Sequence, residues 1–172
     1  STDRRGNYVF ADVSPGAYRL VASAADYTDA EFGQTWPEAL TGPTPRRLVE
    51  LAAGETFRAP DLTLTSLGAI AGVITDEFGD PVPDIPVRPR YRWRGGGLVA
   101  IGPGPAVVAW STTDDKGRFR LSRLAAGPYY LQAQSSLADG SASPSGFAMT
   151  YFPRTREPLA AAPVQVRGGG IT

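Results

Sequence analysis

The stretch Thr113-Asp114-Asp115-Lys116-Gly117-Arg118-Phe119-Arg120-Leu121, continued by Leu124-Ala125-Ala126-Gly127-Pro128-Tyr129-Tyr130-Leu131-Gln132-Ala133, alternates in polarity with a period of two. Phe119 and Leu121 fall on one face and Arg118 and Arg120 on the other, while Tyr129, Leu131 and Ala133 alternate with Tyr130 and Gln132. That period belongs to a β-strand with one buried face. Similar stretches run from Tyr8 to Phe10, Tyr18 to Ala22, Leu48 to Leu51, Leu62 to Leu64, Ile70 to Ile74, Ile85 to Trp93, Val107 to Thr112 and Val164 to Val166. Turn signals rich in Gly, Pro and Asp stand between them. No window of eleven or more residues holds a Pro-free helical stripe, so Pro37–Thr41 and Arg156–Ala162 form a helical turn each at most. The pattern predicts an all-β chain.

Working outward, the stretch has a double. Thr2-Asp3-Arg4-Arg5-Gly6-Asn7-Tyr8 followed by Val13-Ser14-Pro15-Gly16-Ala17-Tyr18 matches Thr113 to Phe119 followed by Leu124 to Tyr129, at a constant offset of 111 residues. Val49-Glu50-Leu51 then matches Val164-Gln165-Val166 at an offset of 115, so the second copy carries a small insertion. Self-similarity of this kind sets the architecture before any single element does. It divides the chain into residues 1–66, a repeat lacking its opening strands, and residues 67–172, a near-complete repeat lacking its last strand. Two cut sandwiches would leave unpaired edges, which points to a segment of a longer tandem array or to completion by a neighbouring subunit.

The chain has 172 residues, no His and no Cys, so Ser-His and Cys-His nucleophile pairs, His/Cys metal sites and disulfides are all excluded. No cofactor or metal is expected, and no enzymatic activity. The 17 basic and 17 acidic residues cancel, so no global field favours nucleic acid. No stretch is apolar for the roughly 18 residues of a membrane span, and Ser1–Arg5 has no signal-peptide character, so any export signal is removed or lies upstream. Cancellation hides a gradient: residues 1–66 carry six basic and nine acidic groups and residues 67–172 carry eleven and eight, which favours head-to-tail contact between copies.

Thr-Asp-x-x-Gly occurs at Thr2, Thr75 and Thr113. Asp at the head of a turn accepts backbone N–H bonds and Gly supplies a positive φ, so the motif reads as a turn; a calcium loop would need an EF-hand's full spacing and bidentate Glu. Leu124-x-x-Gly127-x-Tyr129 and Val13-x-x-Gly16-x-Tyr18 have the form of the tyrosine corner of Greek-key sandwiches, where the phenol bonds to upstream backbone. Tyr129 and Tyr18 are therefore architectural.

Gly68-Ala69-Ile70-Ala71-Gly72-Val73-Ile74-Thr75-Asp76-Glu77-Phe78-Gly79-Asp80-Pro81-Val82, the turn from Asp114 to Phe119 and Leu124-x-x-Gly127-x-Tyr129-x-Leu131 together resemble the bacterial carboxypeptidase regulatory-like domain. The resemblance implies tandem prealbumin-like Greek-key β-sandwiches, related to starch-binding modules, in an extracellular or cell-envelope protein of a bacterium. Asp84 stands where that family usually has Gly, and Arg94 to Ala106 forms an inserted long loop.

One segment stands out as a ligand or partner surface. If Val87-Arg88-Pro89-Arg90-Tyr91-Arg92-Trp93-Arg94 is extended, Arg88, Arg90, Arg92 and Arg94 share one face and Val87, Tyr91 and Trp93 the other, with Arg118 and Arg120 extending the basic surface from a nearby strand. Residues 86–123 hold eight basic groups against two acidic ones, so such a face needs solvent, acidic neighbours or an anionic ligand. It reads either as a solvated sheet face that discourages edge pairing or as a dock for an anionic polysaccharide, a lipid headgroup or an acidic partner domain. Trp36, Trp93, Trp110, Tyr151 and Phe152 would stack on sugar rings if exposed and otherwise fill the core. The leading expectation is a non-enzymatic structural or adhesive repeat module of an exported, surface-attached or filament-forming protein, contacting neighbouring copies. A carbohydrate-binding module and an accessory domain of a larger peptidase or transporter are the alternatives.

Overall fold

A computed structural model describes residues 2–33, 47–92, 96–100, 110–134 and 147–172. Its strands, in chain order, are β1 Gly16–Tyr18, β2 Val21–Ala22, β3 Ala30–Glu31, β4 Val49–Leu51, β5 Gly68–Val73, β6 Pro86–Arg92, β7 Leu98–Ala100, β8 Ser111–Thr112, β9 Arg118–Leu124, β10 Gly127–Ala133, β11 Thr150–Tyr151 and β12 Val164–Val166. The fold is all-β: among the described residues the only helical element is a 3-10 turn, Pro158–Ala160.

Two layers meet in the region from β5 onward. In one, β5 pairs antiparallel with β9; in the other, β6 and β10 pair at the centre, with β7 and β8 on the free side of β6 and β11 and β12 on the free side of β10. The alternation in β9 does what its period demands, burying Phe119 and Leu121 while Arg118 and Arg120 face solvent. Those side chains, with Ile70 of β5, Val87 of β6, Tyr129 and Leu131 of β10 and Val166 of β12, form one buried cluster between the layers. Gly72 of β5 lies opposite Phe119, where a Cβ would meet the ring at 2.8 Å, so the aromatic ring occupies the space that the glycine leaves. Gly169–Thr172 runs along the other edge of β5: the Ala69 and Ala71 amides donate to the Gly170 and Thr172 carbonyls, both at 2.9 Å.

All three Thr-Asp-x-x-Gly segments are the same turn. Asp3 Oδ1 accepts the amides of Arg5 and Asn7, Asp76 Oδ1 those of Phe78 and Asp80, and Asp114 Oδ1 those of Lys116 and Arg118. The glycine that closes each has φ of 82°, 92° and 66° at Gly6, Gly79 and Gly117, the left-handed region that glycine enters without steric cost. In the third copy the preceding Thr113 is buried and ties two turns together: its hydroxyl donates to Val82 O at 2.8 Å and accepts the Ile85 amide at 2.9 Å. Asp84, within that bracketed turn, has φ of 59°, so an Asp adopts the glycine-like conformation, as short polar side chains can.

Residues 2–66 reuse part of this geometry. β1 pairs antiparallel with β4 as Gly16↔Leu51 and Tyr18↔Val49, the register in which β10 pairs with β12 as Gly127↔Val166 and Tyr129↔Val164. A second ribbon joins β2 to β3. The two parts of the chain are linked where the Leu67 amide donates to Asp26 O at 2.8 Å and Arg123 Nη1 donates to Asp26 Oδ1 at 3.3 Å.

Three expectations need correction. The Arg94–Ala106 insertion is not all loop, because Leu98–Ala100 turns back as β7 against Arg90–Arg92; Gly102–Pro105 lies outside the described residues. Among the described residues Tyr8–Phe10 joins no strand and Leu62–Leu64 pairs with nothing, the bridge falling instead at Tyr27 and Ser66. Alternation marks a segment fit for pairing and does not supply the neighbour.

Candidate functional site

The basic strand was the main sequence candidate, and β6 takes the predicted alternation: Val87 and Pro89 are buried toward the core and Arg88, Arg90 and Arg92 point away from it, each partly buried. Two of the three have partners within the fold. Arg90 Nε donates to Gln132 Oε1 at 2.6 Å, and Gln132, itself buried, donates from Nε2 to the Tyr151 hydroxyl at 3.3 Å. Burial, and after it the neighbouring Arg88 charge, lowers the Arg90 pKa from its ordinary value. Arg92 lays its guanidinium over the Tyr130 ring at 4.6 Å and directs Nη2 toward the carbonyls of Pro158, Leu159 and Ala161, each at 3.4 Å. Long contacts to three carbonyls plus a ring face make Arg92 a fastener for the 3-10 turn.

Arg118 and Arg120 do not extend this face. They project outward from the β5–β9 layer, whereas Arg88, Arg90 and Arg92 project outward from the opposite layer, so the sandwich core separates the two groups. Arg94 and Trp93 lie outside the described residues, as does Trp36. Trp110 and Phe152 are about half exposed, at 53% and 45%, while Tyr151 is buried at 6%, so the proposed aromatic set does not share one surface.

A cleft of about 820 Å³ opens between the layers beside the core, lined by Ile70, Val87, Phe119, Leu131 and Phe152, with the exposed side chains of Glu77, Arg154 and Arg156 also on its wall. Its apolar floor continues the core; Asp76, Glu77, Arg154 and Arg156 on its wall face solvent or lie in turns, and Tyr151 on its wall is buried in β11. Among the described residues no three acidic side chains group as metal ligands.

Both corner tyrosines bond backbone four residues upstream: Tyr129 OH donates to Ala125 O at 2.9 Å and Tyr18 OH to Ser14 O at 2.5 Å. Their surroundings differ. Tyr129 is fully buried, and that burial pushes its pKa up to about 12, whereas Tyr18 is 37% exposed. The contrast continues upstream. Phe119, Leu121 and Leu124 are buried under β5, but their counterparts at the 111-residue offset are Tyr8, half-buried, Phe10, 66% exposed, and Val13, 37% exposed. Residues 7–13 thus share β9's apolar pattern but form no strand and leave Phe10 and Val13 exposed. Sequence periodicity singled out Tyr8–Phe10 but not this exposure.

Comparison of the chain with family models, with curated proteins and with solved structures finds no match.

Proposed function

We propose that this chain is a non-enzymatic structural module built from repeats of one carboxypeptidase-regulatory-like sandwich, serving an exported bacterial surface or filament protein as spacer and interaction surface. The observation that carries the reading is the repeated backbone: the same Asp-headed turn, the same positive φ at Asp12 (57°) and Arg123 (60°), the same tyrosine bond and the same strand register occur twice, 111 to 115 residues apart. A repeat unit gains stability from its own core and its neighbours' faces, which suits a rod or adhesive stalk. The absence of His and Cys from the sequence fits a role without nucleophilic catalysis. The Arg residues of β6 then contribute first to internal fastening, with Arg88 the one left to meet a partner.

Limited proteolysis of the intact chain tests the modular reading. A resistant fragment beginning near Leu67 and running to the C-terminus is expected, since the buried cluster lies wholly within residues 70–166. Cleavage inside β6 or β9 at the same rate as in the first 66 residues would overturn it.

A further inference from the structure

We infer that the outward face of β6, around Arg88, Arg90 and Trp110, is a binding site for an acidic polysaccharide built of uronate units. The site lies wholly within the region from β5 onward and does not depend on the repeat reading.

Strand pairing sets these side chains side by side. Val87 and Pro89 of β6 are buried toward the core, so Arg88 and Arg90 face away from it, about 7 Å apart along the strand. Arg88 lies opposite Gln132 of β10, and Gln132 opposite Tyr151 of β11. On the other side of β6, Val87 pairs with Ser111 of β8, whose Oγ accepts the Arg120 amide of β9 at 3.4 Å. Ser111 therefore turns toward the β5–β9 layer. The preceding residue, Trp110, continues the alternation onto the outer face beside Arg88, one strand spacing of about 5 Å away. Its side chain is 53% exposed.

The two arginines are cations without counter-ions. Among the described residues the ion pairs are Arg19–Glu31 and Arg123–Asp26, and no acidic side chain pairs with Arg88 or Arg90. Arg90 Nε is bonded to Gln132 Oε1, and Gln132 is anchored in turn on the Tyr151 hydroxyl. That anchorage fixes the plane of the Arg90 guanidinium. Its terminal nitrogens, like the Arg88 guanidinium, bond no described residue and stay open to solvent. Like charges set this close on one strand face repel, and the Arg88 charge adds to burial in lowering the Arg90 pKa. An anion seated between them removes the repulsion and gains charge-assisted bonds from both. Arg92 takes no part, being held on Tyr130 and the 3-10 turn.

Trp110 narrows the class of anion. An exposed indole offers a flat apolar surface to the C–H face of a pyranose, and its closeness to Arg88 requires an anion attached directly to the ring. A uronate has this form: the ring stacks on the indole while its planar carboxylate meets the guanidinium forks. An acidic peptide carries its carboxylates on flexible stems and offers the indole no ring.

The test is titration calorimetry of the whole chain with oligosaccharides of galacturonate, glucuronate and mannuronate. Saturable binding of at least one is expected, weakening as salt rises and lost for its methyl ester, which keeps the ring and removes the charge. The ester leaves the chain untouched, so its effect is independent of any loss of folding. Arg88→Gln and Trp110→Ala should each weaken binding at least about tenfold, equivalent to 1.4 kcal/mol, while Arg118→Gln, in the opposite layer, leaves it unchanged. Absence of binding to all three, equal binding of the ester, equal losses for Arg118→Gln and Arg88→Gln, or binding indifferent to Trp110→Ala would overturn the assignment. So would tighter binding of polyglutamate, which would make the face a dock for an acidic protein. A failure here leaves the protease-resistant fragment from Leu67 onward unaffected, so the two proposals fall separately.

Discussion

Tyr129 and Tyr18 make the same bond in different solvents. A phenol that is fully buried and bonded to Ala125 O has its only hydroxyl partner inside the protein, whereas water can replace Ser14 O for the exposed Tyr18. Tyr129→Phe should therefore cost about 1 kcal/mol, because the carbonyl is left without its donor, and Tyr18→Phe less than about 0.5 kcal/mol; urea denaturation of both variants checks the difference. The buried phenol also gives a pH signature. Its pKa is raised in the fold from 10.0 to about 12, so the neutral form is favoured by folding. The associated stability is complete below pH 10 and is lost as pH rises through about 12. Thermal melts should show the wild type losing stability across that window more steeply than Tyr129→Phe. Arg92 teaches a related lesson: a cation read as a free ligand is spent on a ring and on carbonyls 66 to 69 residues away.

Among the elements, the Asp-headed turn shows how one local solution meets three environments. Backbone amides that bond Asp114, chiefly that of Arg118, hold its carboxyl below the ordinary value, and at Asp3 the Asn7 side chain is the largest of several bonds that do the same. The glycines differ in what surrounds them. A Cβ at Gly6 or Gly79 would meet nothing, but at Gly117 it would collide with the Ile74 carbonyl, whose residue is tied to Gly117 through the Ile74 amide. Gly6→Ala should cost about 1 kcal/mol for the backbone alone, and Gly117→Ala about 3 kcal/mol because collision adds to strain, as measured by denaturation midpoints. Legibility follows the same line. β9, β10 and β12 were readable because each buries one face, which stamps a period of two on the sequence. β3, β7 and β11 show no alternation of buried and exposed residues and are held by a partner strand, so no periodicity could announce them.

At the scale of the molecule, burial is uneven. The large cluster draws on residues 70 to 166, while the first 33 residues expose Val9, Phe10, Val13, Tyr18 and Val21. Hydrogen exchange should accordingly show the strongest protection in β5, β6, β9 and β10 and markedly faster exchange through residues 7–22, because local opening there uncovers little apolar contact. Uniform protection across both parts would contradict the division of the core. The sequence by itself determined the all-β class, the Asp-Gly turns, the paired tyrosine motifs and the exclusion of His and Cys chemistry, since each depends on neighbours within a few residues or on composition alone. Only the tertiary structure decided that the basic residues divide between opposite layers, that Arg92 fastens a distant turn, and that Phe10 and Val13 are exposed where Leu121 and Leu124 are buried. Those outcomes depend on which strands lie side by side, and pairing is settled by the burial available across the whole chain, which no local pattern records.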